Sequence, residues 1–151
     1  MINPNLLQLV VDASNDGIVI AEQEGSDNIL IYANSAFERM TGYTCEEILY
    51  RDCRFLQNGQ GDENARRQLR EAIDNGRPAR QIIRNFRKDG TAFWNELSIA
   101  PVFNEGDGRH YFIGIQKNVT EQVTARERIM QLEAELASAR QEIVRLKTSP
   151  R

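Results

Sequence analysis

The spacing of apolar and polar residues divides the chain into five predicted strands with helices around them. β-Branched and other apolar residues form two short runs near the N-terminus and three longer alternating runs later, with Gly-containing turns between neighbours. The turns indicate antiparallel pairing, because a few residues can join antiparallel strands but not parallel ones. The predicted strands cover residues 17–21, 29–33, 79–86, 92–102 and 110–119.

Two helices are predicted from apolar residues at helical spacing. The first is a short N-terminal helix that reaches Ser14. The second covers residues 63–74 and ends before Asn75-Gly76. Its apolar stripe consists of Ala65, Leu69, Ala72 and Ile73.

Two shorter helices are predicted from capping signals. Ser35 with Glu38 is a capping-box pattern and predicts a helix at 35–41. Thr44 with Glu47 repeats the pattern and predicts a helix at 45–49. We expect a third short helix to begin in the segment Asp52-Cys53-Arg54-Phe55-Leu56-Gln57 that follows.

The C-terminal segment is predicted to be one long helix. Asn118 with Glu121 can cap it, and no Gly or Pro occurs from there to Thr148. Its apolar residues repeat every three or four positions and form an a/d seam, which predicts a parallel or antiparallel dimer. The alternative is a monomeric helix packed back on the domain. The seam residues are Ile129, Leu132, Leu136, Ala139, Ile143 and Leu146.

Length, charge and composition narrow the classes of partner. The 151 residues suffice for one domain and an appended element, and their 19 basic and 22 acidic side chains form no evident basic patch, so we expect no nucleic-acid partner. No apolar run approaches the ~20 residues of a membrane helix and no signal peptide is evident, which predicts a soluble cytoplasmic protein. Cys45, Cys53 and His110 are too few for a disulfide framework or a zinc site.

Candidate chemistry begins with Cys53 and Arg54. A cation beside a thiol can lower the thiol pKa or hold an anion, whereas a free cysteine without such a role is an inert small hydrophobe. Arg66 and Arg70 stand one turn apart on the predicted helix 63–74, with Arg67 also near Arg70, so two guanidinium groups can converge on an anion. The alternative is a solvated helix face.

Three carboxamides occupy strand faces that also carry apolar side chains. By alternation, Asn95 lies on the face of Phe93 and Leu97, while Asn85 and Gln116 are similarly placed on their strands. A buried carboxamide without partners costs about 1–3 kcal/mol, so the three together favour a polar ligand over the alternative that each satisfies backbone groups. Gly114 leaves room for a flat ring to approach the sheet.

These motifs resemble the LOV (light, oxygen, voltage) branch of the PAS sensor domains over about residues 15–119. The family motif Gly-x-Asn-Cys-Arg-Phe-Leu-Gln stands here as Tyr50-Arg51-Asp52-Cys53-Arg54-Phe55-Leu56-Gln57. Further matching segments are Thr41-Gly42-Tyr43, Asn85-Phe86-Arg87-Lys88-Asp89-Gly90, Phe93-Trp94-Asn95-Glu96 and Tyr111-Phe112-Ile113-Gly114-Ile115-Gln116.

The resemblance implies an α+β PAS/LOV fold, with a five-stranded antiparallel sheet and short helices on one face. It divides the chain into an N-terminal cap helix at 1–14, a flavin-binding domain at 15–119 and a coiled-coil-like helix at 120–151. It further implies a short bacterial LOV protein without a fused effector, which is not an enzyme. Such a protein would signal through a homodimer or a separate downstream protein.

The resemblance also implies a blue-light photoreceptor that binds FMN, with FAD and riboflavin as alternatives. Cys53 would add reversibly to the C(4a) carbon of the excited flavin. Gln116 would face the flavin nitrogen that gains a proton and would pass the change to the C-terminal helix. The other implied cofactor contacts are Arg54, Arg66 and Arg70 on the phosphate, Gln57, Asn85 and Asn95 on the pyrimidine edge, and Val19, Leu56, Leu97, Phe112 and Gly114 along the ring.

Two residues depart from the family motif. Tyr50 replaces the usual Gly and Asp52 replaces the usual Asn, so we expect a changed turn and, from a charged Asp52, opposition to thiolate formation. Cys45 matches no motif position and is assigned no photochemistry. The alternative functions are a light-insensitive PAS dimerisation or ligand-sensing module and a thiol redox enzyme, although the latter lacks a resolving cysteine and a nearby base.

Overall fold

A computed structural model describes residues 1–57, 59 and 61–150 of the chain. They form two compact units, Met1–Val119 and Thr120–Arg151, and Arg151 itself lies outside the described residues. The first unit contains a five-stranded antiparallel sheet with helices, as predicted. None of the described helices combines the length and apolar character needed to cross a bilayer.

The sheet has the strand order β2-β1-β5-β4-β3, and every neighbouring pair is antiparallel. β3 has the predicted bounds, whereas β1, β2 and β4 extend beyond theirs because pairing continues almost to the turns. The strands are β1 Gly17–Glu24, β2 Asp27–Ala33, β3 Ala79–Phe86, β4 Ala92–Asn104 and β5 Arg109–Asn118.

The helices of the first unit lie before β1 and between β2 and β3. The segment that begins at Cys53 is a 3-10 helix, and Gly42 ends α2 in the left-handed conformation. The helices are α1 Pro4–Asp12, α2 Ser35–Thr41, α3 Cys45–Ile48, the 3-10 helix Cys53–Gln57 and α4 Glu63–Asp74.

The capping box predicted at Ser35 and Glu38 is wrong. Asn34 caps α2 through its side-chain oxygen, which accepts the amide of Phe37 at 3.1 Å, and its Nδ2 donates to the carbonyls of Val11 and Asp16. Ser35 instead donates its hydroxyl to the carbonyl of Asp12. Asn34 occupies the cap position because its buried carboxamide both caps α2 and hydrogen-bonds the end of α1. The second predicted box, Thr44 with Glu47, is confirmed.

Tyr50 is the one described non-glycine residue with a positive φ, at 64°. This left-handed conformation costs a residue with a Cβ atom about 1–2 kcal/mol, which accounts for the glycine that the family motif has here. The chain then pairs locally with β2, through the amide of Tyr50 to the carbonyl of Leu30 at 2.8 Å and the amide of Leu30 to the carbonyl of Arg51 at 3.0 Å. These bonds fix the segment that delivers Cys53.

Two groups of buried side chains make the core of the first unit. One joins β1 and β2 to α2, α3 and the 3-10 helix around Phe37 and Ile48. The other joins α4 to β3, β4 and β5 around Leu69, Ile83 and Phe112. Members of both groups line one cavity, so the core itself builds the walls of the candidate site.

The second unit is the single helix α5, Thr120–Thr148. It contains the predicted heptad seam, whose members are exposed along the helix. An exposed apolar seam on a long helix is the pattern of a surface that associates with another helix.

Candidate functional site

The site is a cavity of about 420 Å³, within the range of small-molecule binding sites. The sheet provides one wall, and α4 and the 3-10 helix contribute to the others. All the predicted site residues line it: Val19, Cys53, Arg54, Leu56, Gln57, Arg66, Arg70, Asn85, Asn95, Leu97, Phe112, Gly114 and Gln116.

Asn85, Asn95 and Gln116 form what we call the carboxamide cluster. All three are buried, and Asn95 Nδ2 donates to Asn85 Oδ1 at 2.8 Å and to Gln116 Oε1 at 3.2 Å. The alternation predicted for β4 is confirmed, since Phe93, Asn95 and Ile99 are buried while Trp94, Glu96 and Ser98 are partly exposed. Leu97, on the same face as Asn95, is partly exposed because it lines the cavity. Three neighbouring strands therefore bring the cluster together.

The side-chain oxygen of Asn95 is buried and has no hydrogen-bond partner within the described residues. Both hydrogens of its amide nitrogen are used inside the cluster, so only the oxygen remains to be satisfied. An unsatisfied buried acceptor costs about 1–3 kcal/mol, and a ligand with an N–H at this point would recover it. Asn85 Nδ2 donates to the backbone carbonyl of Arg84, but the two bonds of Asn95 join side chains, so the backbone alternative does not account for the cluster.

Gly114 keeps the wall of the cavity flat beside this cluster. A Cβ atom at this position would lie 2.9 Å from Val19 Cγ2 and 3.6 Å from Leu97 Cδ1. Real Cβ atoms essentially never come that close, so any side chain here would displace the wall or fill the cavity.

Cys53 begins the 3-10 helix and lines the cavity while remaining only partly exposed. Burial, followed by the charge of Asp52, raises the pKa of the thiol to about 11, although Arg54 acts in the opposite direction. The thiol therefore carries its proton at neutral pH. Phe55 anchors the same helix, edge-on to the Tyr43 ring at 5.1 Å and beneath the Arg51 guanidinium at 4.8 Å.

Arg54 lines the cavity, but its guanidinium is already held by carboxylates. Its Nε donates to Asp52 Oδ1 at 2.7 Å, and its Nη2 donates to Asp52 Oδ2 at 3.0 Å and to Asp27 Oδ1 at 3.4 Å. Burial acts to raise the pKa of Asp52, but the hydrogen bonds and charge of Arg54 outweigh it and leave that pKa below its ordinary value. From the sequence we expect Asp52 to oppose formation of the Cys53 thiolate. The pairing of Asp52 with Arg54 was not predicted.

Arg66 and Arg70 reach the cavity from α4, whereas Arg67 does not line it. Arg67 instead donates to Asn64 Oδ1 at 2.8 Å, as expected for a solvated face. Arg66 Nη1 lies 3.9 Å from Glu63 Oε1, and Arg70 makes no ion pair among the described residues. We call Arg54, Arg66 and Arg70 the arginine end of the site.

Several lining residues were not predicted. Asn28 contributes a second buried oxygen without a partner in the described part of the chain, and Ser26 and Asp74 also border the cavity. In the sequence, Ser26 and Asn28 belong to a polar segment typical of a turn. Nothing in their spacing indicates a ligand. Cys45 packs against the core group around Phe37 and does not line the cavity.

A family model of the PAS domain matches residues 15–121. The blue-light photoreceptor of Listeria monocytogenes serovar 1/2a (strain ATCC BAA-679 / EGD-e) is 42% identical over 111 residues, which are 73% of this chain and 43% of that protein. Blue-light-activated histidine kinase 2 of Erythrobacter litoralis (strain HTCC2594) is 36% identical over 126 residues, which are 83% of this chain and 36% of that kinase.

Two solved structures extend the comparison. An RNA-binding light-oxygen-voltage receptor superposes with a TM-score of 0.79 at 41% identity and covers 91% of this chain, which spans 39% of the receptor. The LOV domain of a blue-light-activated histidine kinase from Erythrobacter litoralis superposes with a TM-score of 0.64 at 38% identity and covers 70% of this chain and 96% of that domain. The PAS family model matches most of this chain, and the chain covers nearly all of the solved LOV domain. The cavity geometry agrees with both findings. The chain therefore belongs to the LOV branch of the PAS domain family.

Proposed function

We propose that this chain is a blue-light sensor that binds FMN in the cavity and uses Cys53 as its light-reactive thiol. The observation that carries the proposal is one cavity lined both by Cys53 and by a buried carboxamide cluster with one unsatisfied acceptor. The relatives named as blue-light photoreceptors support it, although the chain spans less than half the length of those proteins.

The carboxamide cluster would hold the pyrimidine edge of the flavin ring. That edge carries an N–H between two carbonyls, and Asn95 Oδ1 is an acceptor that lacks a donor. Asn85 and Gln57 line the same cavity and can bind the neighbouring carbonyls, while Gly114 leaves the face of the ring unobstructed. Val19, Leu56, Leu97 and Phe112 supply apolar contact. The residues thus fit the group that the family implies.

Arg66 and Arg70 favour FMN over riboflavin. Guanidinium groups bind phosphate through charge-assisted hydrogen bonds, and these two cations border the same cavity as Arg54, whose guanidinium is already held by carboxylates.

When bound, the flavin supplies the chemistry, because its light-excited ring accepts a thiol. Cys53 contributes that thiol and retains its proton at Sγ in the dark, since its pKa is raised to about 11. A thiol in this state is a poor nucleophile without excitation, which argues against the alternative of a dark redox enzyme. Gln116 can either donate or accept through its amide, so it can respond to a proton gained by the ring.

The output would pass from Gln116, on β5, to α5, which follows β5 in the chain after Val119. We propose that the α5 seam forms a homodimer and that this dimer, or a separate protein bound in trans, transmits the signal. The absence of a nucleic-acid partner stays a prediction, and the similar structure named as an RNA-binding receptor makes it one worth testing.

The direct test is reconstitution of the purified chain with FMN, followed by illumination. We expect a yellow protein with one flavin per chain, which loses its blue absorbance in the light and recovers it in darkness. Protein that takes up no flavin would support the light-insensitive PAS module instead. Protein that binds flavin but does not bleach would refute the proposed role of the thiol.

The dimer has its own test. Leu132→Lys with Leu136→Lys should give a monomer in sedimentation equilibrium, because both charges would be buried in the seam. Val144→Lys is the matched control, since Val144 is an exposed apolar residue of α5 outside the seam and its replacement should leave a dimer. A wild-type chain that is already monomeric at high concentration would contradict the seam proposal.

A further inference from the structure

We propose that Asp52 sets how strongly this site prefers a phosphorylated flavin over riboflavin, by neutralising Arg54. The inference rests on the proposed flavin binding and concerns one residue at which the chain departs from its family motif. It makes Asp52 a specificity-determining residue and leaves the phosphate mainly to Arg66 and Arg70.

The geometry of Arg54 carries the proposal. Two of its guanidinium nitrogens, Nε and Nη2, are engaged by the two carboxylate oxygens of Asp52, at 2.7 and 3.0 Å. Asp27 adds a longer contact to Nη2 at 3.4 Å. This paired geometry is the one that an arginine otherwise offers to a phosphate. A phosphate that approaches Arg54 must therefore compete with Asp52.

The charges point the same way. One cation stands between two carboxylates, so the group formed by Asp27, Asp52 and Arg54 carries a net charge of −1 when all three are ionised. Asp52 stays ionised at neutral pH, because Arg54 keeps its pKa below the ordinary value. An anionic flavin tail would meet a group with a net negative charge, whereas with Asn at position 52, as in the family motif, the same group would carry no net charge.

Asn can take over the structural role of Asp52 without its charge. The side-chain oxygen Oδ1 of Asp52 accepts the amide of Arg54 at 2.9 Å, and Oδ2 lies 3.4 Å from the amide of Asn28. An Asn side chain retains one oxygen for the shorter and stronger of these bonds. Asp52→Asn should therefore fold normally, remove the carboxylate charge and free the guanidinium nitrogen Nη2 from position 52.

The experiment measures the dissociation constants of FMN and riboflavin for the full chain by fluorescence titration in darkness. In Asp52→Asn the preference for FMN, expressed as the ratio of the two constants, should rise about fivefold, the scale of one partly exposed charge contact. Glu105→Gln is the control, because it removes the same charge from the β4–β5 turn, outside the cavity. It should leave the ratio unchanged.

A double-mutant cycle with Arg54→Gln identifies the cause. Arg54→Gln should change the ratio little in the wild type but should abolish the gain in the Asp52→Asn background, because only there is the guanidinium free. An unchanged ratio in Asp52→Asn, or an equal loss on Arg54→Gln in both backgrounds, would overturn the inference while flavin binding stands. If neither flavin binds any of these proteins, the proposed function itself fails.

Discussion

The carboxamide cluster and the arginine end offer a ligand two different kinds of recognition. The cluster is buried, its members are bonded to one another, and one acceptor is left unsatisfied. At the arginine end, Arg54 and Arg70 are exposed, and Arg54 is already paired with a carboxylate of the protein. A buried polar atom without a partner is costly, whereas an exposed charge is screened by water. We therefore expect changes in the cluster to outweigh changes at the arginine end.

The largest effect is expected from Gly114→Leu, which places a side chain in the space beside the cluster. Even a Cβ atom would approach Val19 Cγ2 to 2.9 Å, so a leucine must displace the wall or fill the cavity. Flavin uptake, measured from the absorbance of the reconstituted protein, should be lost. Ile115→Leu changes an exposed residue of the same strand and should retain full uptake. Normal flavin content in Gly114→Leu would mean that the ring does not lie against Gly114.

Asn95→Ala removes the unsatisfied acceptor and is expected to have the next largest effect. Loss of a buried hydrogen bond to the ring should cost about 2 kcal/mol, or about thirtyfold in affinity for FMN and for riboflavin alike. Fluorescence titration measures both, and Asn64→Ala, on the exposed first turn of α4, is the control. An affinity within about twofold of the wild type would place ring recognition elsewhere.

The arginine end should show a smaller effect that depends on the phosphate. Arg66→Gln should weaken FMN binding by about 1 kcal/mol, or about fivefold, and leave riboflavin binding unchanged, because only FMN carries the anion. Arg67→Gln is the matched control one residue along, since Arg67 does not line the cavity. Equal effects of the two substitutions would indicate a general electrostatic attraction by α4 and no specific contact.

The smallest effect on flavin binding is expected at Tyr50, which does not line the cavity and should affect stability alone. Tyr50→Gly should raise the free energy of unfolding by about 1 kcal/mol by removing the cost of the positive φ. Tyr50→Ala retains a Cβ atom and should show no such gain. Urea denaturation of the flavin-free proteins measures both, and equal stabilities for the two variants would show that Tyr50 carries no strain.

The buried half of the site could be predicted from the sequence, because strand geometry leaves little freedom. Side chains alternate across a strand, so the positions of Asn85, Asn95 and Gln116 among apolar neighbours were enough to bring them to one face. The exact bounds of β3 followed from equally local rules.

The exposed half could be predicted only in part. Arg54 has a long side chain, and whether it meets a ligand or Asp52 depends on rotamers that sequence spacing does not determine. Asn34 was missed as the cap of α2 because its other partners, the carbonyls of Val11 and Asp16, lie far from α2 in sequence. Asn28 was missed because its burial arises from packing around the cavity and not from its place in a polar turn.

The measurement that tests the central claim most directly is a light-minus-dark absorption spectrum of Cys53→Ala beside Cys45→Ala. Both thiols are free, but only Cys53 lines the cavity. We predict that Cys53→Ala binds flavin and shows no reversible loss of the blue band, while Cys45→Ala bleaches and recovers like the wild type. Reversible bleaching in Cys53→Ala, or its loss in Cys45→Ala alone, would contradict the account.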